Sequence, residues 1–120
     1  MPGLEPHRRR RSTRVLIRMP VVVAGKNARG QEFNQSSETT IVNAHGGLLH
    51  LNEPIEMGAV ITLMNVATRE EQKCRVVFLG DASEKGRDVG IEFLAPAPQF
   101  WAIEFPPADW SARAQSAFVN

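Results

Sequence analysis

Glu38-Thr39-Thr40-Ile41-Val42-Asn43-Ala44-His45-Gly46-Gly47-Leu48-Leu49-His50-Leu51 reads as a strand, a tight connection and a returning strand. Threonine and valine give Glu38 to Val42 its strand character. Asn43 to Gly47 is the connection, and its glycines suit positive φ or a close backbone approach. Leu48 to Leu51 starts the partner. A connection this short makes the two strands antiparallel neighbours.

The same pattern repeats toward the C-terminus. Asn52-Glu53-Pro54 and Glu56-Met57-Gly58 punctuate the chain, and Ala59 to Val66 predicts a strand that is apolar on both faces. Gln72 to Leu79 predicts the next, with Cys74, Val76 and Phe78 on one face and Lys73, Arg75 and Val77 on the other. After a polar loop from Gly80 to Gly86, Val89, Ile91 and Phe93 alternate with Gly90 and Glu92. Toward the N-terminus, Val15, Ile17 and Met19 alternate with Leu16, Arg18 and Pro20, and Val21 to Val23 continue that first strand. Gly25 to Gly30 is a turn.

Six short strands separated by turn clusters predict an all-β antiparallel barrel or sandwich. No long amphipathic helical segment lies between them, which argues against a parallel α/β sheet. Residues 13–120 read as a single domain preceded by a flexible basic arm, residues 1–12. In the tail, Asp109 is placed to cap a short helix from Trp110 through Ala117. Phe100, Trp101, Ile103, Phe105 and Trp110 are expected to cover an open end or edge of the sheet. The two tryptophans read as packing anchors rather than a base-stacking platform.

Charge is concentrated at one end. Arg8, Arg9, Arg10, Arg11, Arg14 and Arg18 face only Glu5, so the first 18 residues carry +5 and the remainder −4, for a total of +1. Guanidinium groups held beside a folded surface bind phosphates and guanine edges through rigid paired donors. An anion-binding module is therefore expected. Cys74 is the single cysteine, so neither an internal disulfide nor a cysteine metal cluster forms. It reads as a small buried apolar group. His7, His45 and His50 lack metal-ligand spacing. No nucleophile–base or carboxylate pair has a plausible scaffold, so the protein is not expected to be an enzyme. No apolar run approaches the ~18 residues needed to cross a bilayer. The arginine-rich start does not read as a secretory signal, and a cytoplasmic protein is the default expectation.

This order of features resembles the PilZ domain family. The family carries Arg-x-x-x-Arg just before its first strand, and Asp/Asn-x-Ser-x-x-Gly between its second and third strands. Arg10-Arg11-Ser12-Thr13-Arg14 fits the first motif. Arg14 to Arg18 also fits, but Arg18 is expected inside the strand. Val89-Gly90-Ile91-Glu92-Phe93, then Phe100-Trp101 and Phe105-Pro106-Pro107, are similar to the ending of such sequences. The resemblance covers residues 8 to 105. It implies a six-stranded antiparallel β-barrel that binds the bacterial second messenger cyclic di-GMP and acts in signal transduction.

By position, the resemblance makes Arg10 and Arg14 ligand contacts, with Arg9 and Arg11 as possible additions. Gly46 matches the closing glycine of the second motif. Counting back, Asn43 falls at the serine position and Ile41 at the Asp/Asn position, where an isoleucine can neither donate nor accept a hydrogen bond. An alternative alignment places Asn43 at the acidic position, His45 at the serine position and Gly47 at the close. His45 either contacts a ligand base or caps the turn. The expected function is a receptor or adaptor whose arm orders over bound cyclic di-GMP and alters the surface shown to a downstream protein. The alternative is a degenerate PilZ-like interaction domain that does not bind nucleotide. A nucleic-acid-binding barrel is a third possibility, but the strands lack the interleaved basic and aromatic residues it needs.

Overall fold

The computed structural model describes residues 14–103. Seven strands follow one another: β1 Val15–Leu16, β2 Pro20–Lys26, β3 Glu32–Asn43, β4 Gly46–Leu51, β5 Val60–Asn65, β6 Glu71–Leu79 and β7 Arg87–Phe93. All pairings are antiparallel and run in the order β1-β3-β2-β5-β6-β7-β4, with β4 returning to pair with β3. β1 and β2 lie end to end along β3, against Ile41–Val42 and Glu32–Glu38 respectively. They are two halves of one stave, and the sheet closes as a six-stranded antiparallel barrel. The described residues contain no helix. The expected arm and the expected helix from Trp110 lie outside them.

The first strand breaks where a single run was expected. Residues 17–19 leave the ladder, and Thr39 bridges the gap. β3 also begins at Glu32 rather than Glu38. Those additional residues show no apolar alternation because pairing with β2 holds their backbone. Their inward positions, Phe33, Gln35 and Ser37, are only half-buried.

Inside the ring, Val21, Val23, Leu49, Leu63, Val76 and Val89 are fully buried. Cys74 joins them, and burial pushes its thiol up to about 12. Phe100 and Trp101 plug one end. Their rings meet edge to face with centroids 4.9 Å apart, and Phe93 lies 5.1 Å from Phe100. The expectation that this segment covers an open end holds for these two residues, and Ile103 packs half-buried against the core; Phe105 and Trp110 are not among the described residues. The buried Asn65 side chain is satisfied, donating to the Phe100 carbonyl at 2.8 Å and accepting from the Ala67 N–H at 3.0 Å.

Phe78 corrects the sequence reading. β6 alternates inward through Cys74 and Val76, and then a bulge at Val77 shifts the register against β7. The extra residue turns Phe78 outward, leaving it 50% exposed beside Val77 instead of in the core.

Candidate functional site: a groove on the outer wall

Outward positions in a barrel wall are ordinarily polar. Here one row is not. Leu16 is the Cα partner of Ile41, Ile41 of Leu48, Leu48 of Gly90, and Gly90 of Phe78. The row crosses five strands, roughly 19 Å at the ~4.8 Å strand spacing. Two bulges flank it, at Thr40 in β3 and Val77 in β6. Each shifts the register by one residue, and the apolar side chains beyond the shift emerge on the outer surface.

Along this row lies a groove of about 400 Å³. Ile41, Val42 and Asn43 of β3 line it, with Gly47 and Leu48 of β4. Val77 and Phe78 come from β6, and Gly90 and Ile91 from β7. Arg14, leading into β1, lines it as well. Arg18 lies two residues past Leu16, with its guanidinium 3.6 Å from the Glu38 carboxylate on the exposed surface.

Asn43, Ala44, His45 and Gly46 form the hairpin tip. The Asn43 Oδ1 accepts from the His45 N–H at 2.7 Å, an Asx-type closure. None of the four has positive φ. Gly46 is instead a close-approach position: a Cβ there would run into the Ile91 carbonyl oxygen. Its own carbonyl accepts from the Trp101 indole N–H at 3.1 Å. Gly47 is also tight, since a Cβ would sit 3.3 Å from the Trp101 ring.

Of the residues expected at the site, Arg14, Ile41, Asn43 and Gly47 line one groove. Ile41 is half-buried on the outer wall, not in the core. Gly46 and His45 stand at its edge in the hairpin, with the His45 carbonyl accepting from the Phe93 N–H at 2.8 Å. Arg9, Arg10 and Arg11 lie outside the described residues. Leu16, Leu48, Val77, Phe78 and Gly90 are additions from the structure. Apolar residues fall on both faces at Val77-Phe78, but no turn residue marks the bulge that turns Phe78 outward.

Further along β4 and β7, His50 is paired with Asp88, its Nδ1 3.4 Å from the carboxylate and its Nε2 2.5 Å from the Lys85 carbonyl. The carbonyl first, and then Asp88, hold the imidazole above its ordinary pKa. The described residues contain no group of three or more His, Cys, Asp or Glu side chains able to hold a metal. An apolar groove with an arginine in its lining can bind a planar, anionic ligand through stacking and charge.

Compared with protein-family models, curated proteins and solved structures, the chain matches none.

Proposed function

We propose that this protein is a cyclic di-GMP receptor or adaptor without catalysis of its own, as its PilZ-like sequence features imply. One observation carries the reading: Arg14 on one side, and Ile41, Asn43 and Gly47 on the other, line the same groove although they come from separate segments. In this arrangement Arg14 takes a phosphate and a guanine lies along the apolar row; the resemblance, by motif spacing alone, implies a further contact from Arg10. Ile41 leaves a guanine N–H without its usual acceptor, a cost of about 1–3 kcal/mol. The native affinity is therefore weaker than that of a site with an acidic or amide side chain there.

Calorimetric titration with cyclic di-GMP, GTP and a single-stranded oligonucleotide tests this. Binding of cyclic di-GMP alone, weakened by Arg14→Ala, supports it. Oligonucleotide binding with a steep salt dependence points to a nucleic-acid module instead.

A second reading rests on Leu16, which is 73% exposed between two outward arginines. An apolar group so placed suits a protein partner with an acidic-flanked apolar segment. No binding of any nucleotide in the titration favours that reading.

A further inference from the structure

We infer that His50 is a pH-sensitive latch that holds the loop between β6 and β7 against the end of β4. This device is separate from the cyclic di-GMP reading and stands without it.

Both ring nitrogens of His50 face acceptors, the Asp88 carboxylate from Nδ1 and the Lys85 carbonyl from Nε2. An imidazolium donates to both. A neutral imidazole has a single N–H and turns a lone pair toward the other oxygen. The tip of the loop is self-contained. Ser83 and Gly86 exchange backbone hydrogen bonds at 3.0 and 3.1 Å, and the Ser83 hydroxyl donates to the Gly86 carbonyl and accepts from the Lys85 N–H. Among the described residues, the His50–Lys85 bond is the one hydrogen bond or ion pair that ties residues 81–86 to the barrel wall. The seat is close. Gly86 has φ 102°, and a Cβ there would run into the Leu51 carbonyl oxygen and lie 2.9 Å from the His50 Nε2.

Asp88 is the carboxylate beside the ring. From β3 the contact is neutral, the Ser37 hydroxyl on the His50 carbonyl, and Glu38 of that strand is paired with Arg18. Glu84, Lys85 and Arg87 flank these partners in sequence, but their side-chain charges add nothing to the hold on the ring. As pH rises through the folded imidazole value, the remaining N–H is contested by Asp88 and Lys85. The loop, with its exposed Asp81 and Glu84, then loses its fixed hold on β4.

The test follows the His50 ring signals and the heteronuclear NOE of residues 81–86 by NMR, from about pH 5 to about pH 8.5, a range that spans imidazole titration. In wild type the loop NOE should fall as pH rises, with the same midpoint as the ring. His50→Gln should remove this pH dependence, and Asp88→Asn should move both midpoints to lower pH together. Thermal melts confirm that each variant is folded. If His50→Gln does not fold, Asp88→Asn alone decides. A loop NOE that stays constant while the ring titrates overturns the inference. So does a loop transition that persists in His50→Gln, or one that parts from the ring midpoint in Asp88→Asn.

Discussion

The Thr39 hydroxyl accepts the Met19 N–H at 2.9 Å, and it donates to the Ile17 carbonyl at 2.8 Å. One fully buried side chain thereby satisfies both backbone groups where the first stave is interrupted. Thr39→Val keeps the shape and removes both bonds. Leaving a buried backbone donor and acceptor unpaired costs about 1–3 kcal/mol per group. The urea midpoint should fall clearly with an unchanged m-value, and Thr39→Ser should recover much of the loss. An unshifted midpoint for Thr39→Val would mean that water reaches the gap.

Trp101 ties the plug to the hairpin through its bond to the Gly46 carbonyl. Trp101→Phe should lose about 1–3 kcal/mol, through the lost donor and the vacated volume. Trp101→Ala should lose about 3–5 kcal/mol and leave little folded protein. Thermal melts of the two variants check the order.

Ile41 faces the groove, so Ile41→Asp exposes its charge there instead of burying it in the core. The variant should remain folded and bind cyclic di-GMP about tenfold or more tightly than wild type, because the carboxylate accepts guanine N–H groups. Calorimetry and melting on the same sample decide this. Unfolding would contradict the outward placement, and intact folding without tighter binding would contradict the proposed pose.

Protonation strengthens the hold of the Lys85 carbonyl and Asp88 on His50. Its folded pKa lies above the ordinary 6.5, so its pH-linked contribution is complete below about 6.5 and fades as pH rises through the folded value. Melting temperatures of wild type and His50→Gln should differ most in mild acid and converge above neutrality. An NMR titration of the imidazole should place its pKa above 6.5, with Asp88→Asn lowering it.

Cys74 is fully buried, with its thiol held near 12. It should resist thiol-directed reagents in native buffer at neutral pH and react within the dead time once urea unfolds the barrel. Fast native labelling would show that the β5–β6 wall opens readily.

Strands with one apolar and one polar face were legible in the sequence. β7 follows its alternation from Val89 to Phe93, and β6 does so as far as Val76. The polar half of β3 was not legible, because Glu32 to Ser37 are held by pairing with β2 rather than by apolar burial. The same distinction divides the candidate site. Arg14, Ile41, Asn43 and Gly47 could be chosen by motif spacing, since each lies near the hairpin or the arm. Phe78 could not, because a bulge reverses its face without leaving a turn residue to mark it.

Past Thr39, β3 and β4 part. There the Ser37 hydroxyl donates to the His50 carbonyl at 2.5 Å, and the Asn52 N–H donates to Gln35 Oε1 at 3.0 Å. Side chains stitch a joint that backbone ladders close elsewhere. Ile41 and Leu48 meet across the same joint one step further along, on the floor of the groove. A ligand lying across Ile41 and Leu48 would bridge the two strands beside the joint and stiffen the cylinder there. A filled groove should slow amide exchange along β4 before it alters any contact in the core.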